Sequence, residues 1–197
     1  FEEAVSVIDE SYGRSWKKVF SSIEETPIGS ASIAQVHRAV LKSGEEVVVK
    51  IQRKGIYEMM ARDIEFIRKA IKLMPPISLK GMADFDLVLD ELWSVTRDEM
   101  NFLTEASNIE EFARRNKDVN FVQTPVLYQQ YTTVHVLVME YIDGCGIDEK
   151  EKLLEDGYDL KEIGSKLVDN YIKQVMDDGF FHADPHSGNV KIRDGKI

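Results

Sequence analysis

Cysteine is nearly absent from this sequence: Cys145 is the only one among 197 residues. An internal disulfide is therefore excluded, which agrees with a reducing compartment. No metal-ligand spacing surrounds Cys145, so it reads as a turn residue in Asp143-Gly-Cys-Gly. No apolar run approaches the ~20 residues that cross a bilayer, and no signal peptide opens the chain. Positive charge is in deficit. The net charge is −10, which repels a phosphate backbone and an anionic lipid surface, so nucleic acid is set aside as a partner and so is electrostatic docking on a membrane. Internal repeats and low-complexity tracts are also missing. What remains is an ordinary globular composition, 43% apolar, enough to build the core of one domain or of a two-lobed unit. The first residue is not methionine and the last, Lys196-Ile197, stand in a strand-like run, so the chain is read as a piece of a longer protein.

The apolar pattern changes period along the chain. Residues 1–20 read as the tail of an amphipathic helix followed by a loop. Between 27 and 52, Ile33, Val36 and Val40 precede a Lys42-Ser-Gly turn and the run Val47-Val-Val with Ile51, which predicts a β-hairpin. Ile56, Met59, Met60, Ile64, Ile67, Ile71 and Met74 recur at three- and four-residue spacing and predict a helix ended by Pro75-Pro76. A second helical pattern runs from Asp84 to Arg115, with a break expected near Asn101. Pro125–Tyr131 and Val134–Tyr141 suggest a second hairpin. Asp143-Gly-Cys-Gly reads as a linker, residues 159–176 as an amphipathic helix, and Val190-Lys-Ile as a short strand. Strands and helices are grouped rather than alternating, so the class is α+β. A hairpin lobe, a Gly-bearing linker and a helical lobe imply a cleft.

Four segments carry chemistry. The strongest is His182-Ala-Asp184-Pro-His186-Ser-Gly-Asn189. In a kinase catalytic loop a His-x-Asp is followed by Asn five positions after the Asp, because the Asp faces the attacking group while the Asn turns back to magnesium on the phosphates. The same residues could instead form a polar turn held by Asx hydrogen bonds, or a metal site of His182, Asp184 and His186. Second, Val47-Val-Val-Lys50 ends an apolar strand on a lysine, as in the kinase strand whose lysine reaches the α- and β-phosphates; a solvated strand end looks alike. Third, Pro27-Ile-Gly29-Ser30-Ala31-Ser32-Ile-Ala-Gln35-Val-His37 stands where a glycine-rich phosphate loop belongs. Gly29 alone cannot supply several positive-φ positions, but a Ser/Ala turn can still offer backbone N–H groups to phosphate oxygens. Fourth, Glu105 lies in a helical run before the small Ala106, suiting it to pair with the strand lysine; a helix-surface glutamate needs no such role.

Pro27 to His37, Val49-Lys50-Ile-Gln, Asn101-Phe-x-x-Glu105-Ala-x-Asn108, Val138-Met-Glu-Tyr-Ile-Asp-Gly144 and Phe181-His-Ala-Asp-Pro-His-x-Gly-Asn189 together resemble the UbiB (AarF-like) family of atypical kinases, in the family's order. The resemblance implies a two-lobed protein-kinase-like fold: an N-lobe over 1–142 with a helical insertion over 55–116, and over 143–197 the hinge exit and a partial, truncated C-lobe. It implies binding of ATP or ADP with magnesium, and ATPase-type rather than protein-kinase activity. It also implies a link to isoprenoid-lipid metabolism, chiefly ubiquinone biosynthesis. The partners would be isoprenoid lipids or lipid-biosynthesis proteins, and the location cytoplasmic with membrane association of the full-length protein. Carried onto this sequence, Lys50 orients the phosphates, Glu105 fixes Lys50, and Gly29, Ser30, Ala31, Ser32 and Gln35 belong to the loop over the phosphates. Glu140 to Ile142 form the hinge at adenine, Asp184 orients the attacking hydroxyl or water, and Asn189 holds magnesium. The family's Lys-x-Gly-Gln segment would precede residue 1, and its Asp-Phe-Gly aspartate, the second magnesium ligand, would follow Ile197. Where the family has Glu-Leu-Asp, this chain has Glu99-Met-Asn101. Two other readings are a nucleotide-sensing pseudokinase that switches a partner, and a small-molecule phosphotransferase of the aminoglycoside/choline kinase type.

Overall fold

A computed structural model describes residues 1–73 and 85–197. Met74, the Pro75-Pro76 helix stop and the Asp84 helix start lie outside the described residues. The chain divides into two compact units, Phe1–Ala106 with Tyr128–Met139, and Ser107–Leu127 with Glu140–Ile197.

The first unit is built on a five-stranded sheet. After helix α1 (Glu2–Tyr12) come β1 (Phe20–Ile23), β2 (Gly29–Ser30), β3 (Ala34–Leu41) and β4 (Glu46–Gln52); β5 (Val136–Glu140) returns much later. The order is β1-β3-β4-β5, with β2 also pairing β3. The expected hairpin is β3–β4, in register Val36 to Lys50 and Val40 to Glu46 around the Lys42-Ser-Gly turn. Gly44 has φ 104°, which a side chain would resist. Strand alternation sends Val47, Val49 and Ile51 to one face. There they are fully buried against Ala4, Val7 and Ile8 of α1 and against Val136 and Val138 of β5. Burying each aliphatic side chain of this kind is worth roughly 1.5–3 kcal/mol. The same alternation leaves Lys50 and Gln52 on the opposite face.

Among the described residues, three helices lie between β4 and β5: α2 (Ile56–Leu73), α3 (Phe85–Glu99) and α4 (Phe102–Arg115). The break near Asn101 is present. Asn101 starts a new helix because its side-chain oxygen accepts the Leu103 N–H at 3.1 Å. The apolar stripe of α2 buries less than its period suggests: Ile56 is buried, while Met59 and Ile67 are exposed. α2 meets α3 through Tyr57 against Trp93 and through Arg68, which bonds Asp86 at 2.6 Å and Asp90 at 2.7 Å.

The second expected hairpin forms only in part. β5 is a strand, but residues 125–131 are not its equal partner. Tyr128 N–H donates to the Val138 carbonyl, and the segment then closes into a 3-10 turn, Gln129–Tyr131. The Tyr131 carbonyl at that turn accepts the Tyr12 hydroxyl at 2.6 Å.

In the second unit, α5 (Lys150–Glu155) and α6 (Leu160–Lys173) pack with a two-stranded ladder of β6 (Cys145–Gly146) and β7 (Lys191–Ile192). Asp159 caps α6 by accepting the N–H groups of Lys161 and Glu162. The turn reading of Cys145 is corrected here. The residue is in β6, paired with Ile192 and buried with Leu153 and Ile163. Burial, with the Glu149 carboxylate nearby, pushes its thiol pKa up. Past β7, Asp194 and Gly195 have φ of 52° and 75° and make a tight reversal between Arg193 and Lys196.

Candidate functional site

Two groups of side chains, one in each unit, hold the residues singled out from the sequence. In the first unit, Lys50 points from β4 to α4 and donates to both oxygens of Glu105, at 2.9 and 2.7 Å. The Lys50 ammonium also lies 5.0 Å from the centre of the Phe102 ring, one helical turn before Glu105. The two side chains are 25% and 34% exposed, so the pair is open to solvent on one side and supported on the other. The small Ala106 beside Glu105 is buried at 2%. Gln52, on the same face of β4 as Lys50, is a second fastening to this helix. Its amide donates to the Met100 carbonyl at the α3–α4 break and accepts from His135.

The Ser/Ala segment forms a narrow hairpin, with Gly29 opposite Val36 and Ser30 opposite Gln35. Ala31 N–H closes the tip on the Ala34 carbonyl at 2.8 Å. None of residues 29–35 has a positive φ, so the turn needs no glycine beyond Gly29. Arg53, just after β4, grips it by donating to the Ala31 carbonyl at 2.9 Å and to Ser30 Oγ at 2.7 Å. At the tip, the N–H groups of Ser32 and Ile33 make no hydrogen bond among the described residues and are available to an anion.

In the second unit, the loop after α6 is bound together by its own polar groups. His182 Nδ1 accepts the Asp184 N–H at 3.2 Å, and the Asp184 carbonyl accepts the Asn189 side-chain amide at 3.0 Å. His186 Nδ1 accepts the Gly188 N–H. These bonds leave the Asp184 carboxylate 78% exposed. They also aim the chemistry of Asn189: with its NH2 committed, its Oδ1 is the free end, a hard oxygen suited to magnesium. Both histidines use Nδ1 as an acceptor inside the loop. No cluster of three His, Cys, Asp or Glu suited to a metal occurs among the described residues, which removes support from the His182–Asp184–His186 metal reading. Asp148 was not legible from sequence. It accepts the Ser187 hydroxyl at 3.1 Å and ties the loop to the turn before α5.

The expected hinge residues also lie in the second unit. Glu140 is heavily engaged: its N–H donates to the Val126 carbonyl, its carboxylate accepts the Val126 N–H at 3.1 Å, and Arg193 pairs with it at 2.8 Å. The Ile142 carbonyl accepts Lys191 Nζ at 3.0 Å, while its N–H makes no hydrogen bond among the described residues.

Comparison with known proteins identifies the family and the fold. The ABC1 atypical kinase-like domain matches residues 1–196. A Clostridium pasteurianum protein named for the 5′ region of hydrogenase 1 is 46% identical over 197 residues, covering 100% of this chain and 36% of that protein. The chloroplastic Protein ACTIVITY OF BC1 COMPLEX KINASE 8 of Arabidopsis thaliana is 39% identical, over 97% of this chain and 25% of its own length. AarF domain-containing protein kinase 1 of Gallus gallus is 34% identical, over 98% and 37%. The chain thus spans little more than a third, or less, of these curated relatives. Among solved structures, the Mycobacterium tuberculosis protein in the Rv3197–erythromycin complex superposes with a TM-score of 0.76 at 30% identity, covering 99% of this chain and 49% of that one. The kinase-like α+β fold expected from the order of the motifs is borne out by these matches.

Proposed function

This chain belongs to the ABC1 (UbiB/AarF) family of atypical kinase-like proteins, and from that premise we propose that it binds ATP or ADP and carries the phosphate-handling residues of an ATP-dependent phosphotransferase or ATPase. The observation that carries the reading is the two-point ion pair of Lys50 with Glu105. An ammonium held by a helix-borne carboxylate over a conjugated ring is preorganised for the α- and β-phosphates. The Ser32 and Ile33 N–H groups, steadied by Arg53, add donors for the phosphate oxygens. Ile142 offers its N–H to adenine. Asp184 orients the attacking hydroxyl or water, and its high exposure leaves it accessible to either. Asn189, with its Oδ1 left open by the bond from its NH2 to the Asp184 carbonyl, would hold magnesium, which when bound would supply charge neutralisation at the phosphates. Catalysis is then mostly positioning and charge stabilisation, with little covalent chemistry asked of the protein.

The family resemblance extends the proposal to isoprenoid-quinone lipid metabolism of the ubiquinone type. The partners would be an isoprenoid lipid or lipid-biosynthesis proteins, and the full-length protein would be cytoplasmic and membrane-associated. No helix among the described residues is long and apolar enough to cross a membrane, so this attachment would use other means or other parts of the protein. A small-molecule phosphotransferase is the second reading, favoured by the solved neighbour, whose complex contains erythromycin.

The test is steady-state ATP turnover by the full-length protein and its Asp184→Asn variant, with nucleotide binding measured separately. A group that acts in the transition state lowers kcat more than it raises KM. The variant should lose roughly 10²–10⁴-fold in kcat and keep its nucleotide affinity within a few-fold. Unchanged turnover removes the catalytic assignment. Nucleotide binding without turnover in either protein points to the pseudokinase reading instead.

A further inference from the structure

Three buried side-chain amides in the second unit form a single file that ends on the Asp184 loop. Asn116, Asn170 and Gln174 are 4%, 6% and 6% exposed. Asn116 Nδ2 donates to the Phe112 carbonyl of α4 at 3.0 Å. Asn170 Nδ2 donates to Asn116 Oδ1 at 2.7 Å. Gln174 Nε2 donates to Asn170 Oδ1 at 2.7 Å. Gln174 Oε1 accepts the backbone N–H of His182 at 3.0 Å. Each amide gives with its nitrogen and receives with its oxygen. The ends fix that direction, because α4 offers only a carbonyl and the loop only an N–H. Turning the file round would set oxygen against oxygen at Phe112 and nitrogen against nitrogen at His182.

The last member sits at an irregularity. α6 gives way to a π-helical turn, Gln174–Asp178, starting at Gln174 itself, and Gly179 with φ 59° releases the chain into the loop. Single π turns are common at functional sites because they redirect a side chain. From His182 the bonds continue inside the loop: its Nδ1 takes the Asp184 N–H, and the Asp184 carbonyl takes Asn189. The bonds among the three side chains could be replaced together by apolar contacts at little cost in stability, but the backbone N–H of His182 could not. The amides instead specify where one N–H must be. We infer that Asn116, Asn170 and Gln174 are a positioning device for the catalytic loop. Gln174 is its contact residue, setting His182 and through it Asp184 and Asn189. The functional part of this inference rests on the proposed role of Asp184; the hold on the loop does not.

The experiment uses the full-length protein with Gln174→Met, which keeps length but removes both amide hydrogen bonds, and Gln174→Glu, which still accepts from His182 but no longer donates to Asn170. Leu153→Ala, in the core of the same unit and outside the file, controls for lost stability. Amide hydrogen exchange at His182 is measured without nucleotide, and kcat and KM for ATP are measured in parallel. Gln174→Met is expected to speed His182 exchange about tenfold or more and to lower kcat by a similar factor, with KM within about threefold. Gln174→Glu is expected to restore part of the His182 protection and part of kcat, more than Gln174→Met but less than wild type, because its carboxylate still accepts from His182 but meets Asn170 Oδ1. Leu153→Ala is expected to lower the melting temperature while native kcat stays near wild type. His182 exchange within twofold of wild type in Gln174→Met overturns the hold. Faster exchange with unchanged kcat overturns the positioning role. If the wild type itself does not turn over ATP, the Asp184 reading fails, and the exchange result alone decides whether the file fixes the loop.

Discussion

Replacing Glu105 by Gln removes a charge and almost no volume, so it isolates what the carboxylate does for Lys50. The two contacts average about 2.8 Å. At an effective dielectric of ~20 the gross attraction is ~6 kcal/mol. Desolvation and solvent screening remove most of it, since the side chains are 25% and 34% exposed. Fully exposed pairs are worth ~0.2–1 kcal/mol and breaking a buried pair costs ~3–5 kcal/mol. This pair lies between, at ~1–2 kcal/mol. In a chain of this size each kcal/mol moves Tm by ~2–4 °C. Lys50 would keep its contact with the Phe102 ring and one weak bond to the new amide, so it would stay in the region but lose its aim. Small misplacements of a positioning group are costly in rate, and the expected fall in kcat/KM for ATP is about 10–100-fold, equivalent to ~1.4–2.7 kcal/mol. The assay is steady-state turnover beside thermal melting, both on the full-length protein. Turnover within twofold of wild type, with Tm lowered as expected, would refute the argument and leave the pair a fold contact.

Tyr12 should make stability fall in alkali. Burial pushes its phenol pKa well up, so the folded protein keeps a proton that the unfolded chain releases above ~10. The contribution is whole below that pH and declines as pH rises through and beyond it. In urea titrations from pH 8 to 11, Tyr12→Phe should cost ~1 kcal/mol at neutral pH, where the Tyr131 carbonyl loses its donor, and should show a shallower alkaline decline; equal slopes would count against the argument. Gly144→Ala would put a Cβ 2.9 Å from the Ile192 carbonyl oxygen, and a backbone atom paired in β7 cannot step aside, so a loss of ~1–3 kcal/mol is expected by thermal melting. Gly164→Ala, in α6 with nothing within 4 Å, should instead stabilise by ~0.5–1 kcal/mol; equal effects of the two would show that the close approach at Gly144 is not decisive.

What was legible in the sequence is what short-range chemistry dictates. The β3–β4 hairpin follows from two apolar runs around Lys42-Ser-Gly, and the α3–α4 break from an Asn that can cap the next helix. The Asp184–Asn189 spacing is equally local, because five residues must turn one side chain outward and pin the other to the same backbone. Lys50 and Glu105 are 55 positions apart; their pairing could be expected only because the two match the strand lysine and helix glutamate of kinases, and Ala106 lets a helix come close. Where no such local reason exists, the sequence is silent. β1 carries Ser21 and Ser22 between Phe20 and Ile23, a pattern too polar to stand out as a strand. Residues 125–131 have strand-like composition, yet their register is set by β5, and the chain closes into a 3-10 turn once Tyr12 has taken the Tyr131 carbonyl. Cys145 looks like part of a glycine turn until Ile192, 47 positions on, pairs with it. The same holds most strongly for Asn116, Asn170 and Gln174. An Asn or Gln in a helical stretch is ordinary on a surface, and nothing in its neighbours distinguishes one that is buried. Only the fold, by removing water from all three at once, makes each amide depend on the next. That dependence ends at a backbone N–H which any residue but proline at position 182 would have supplied.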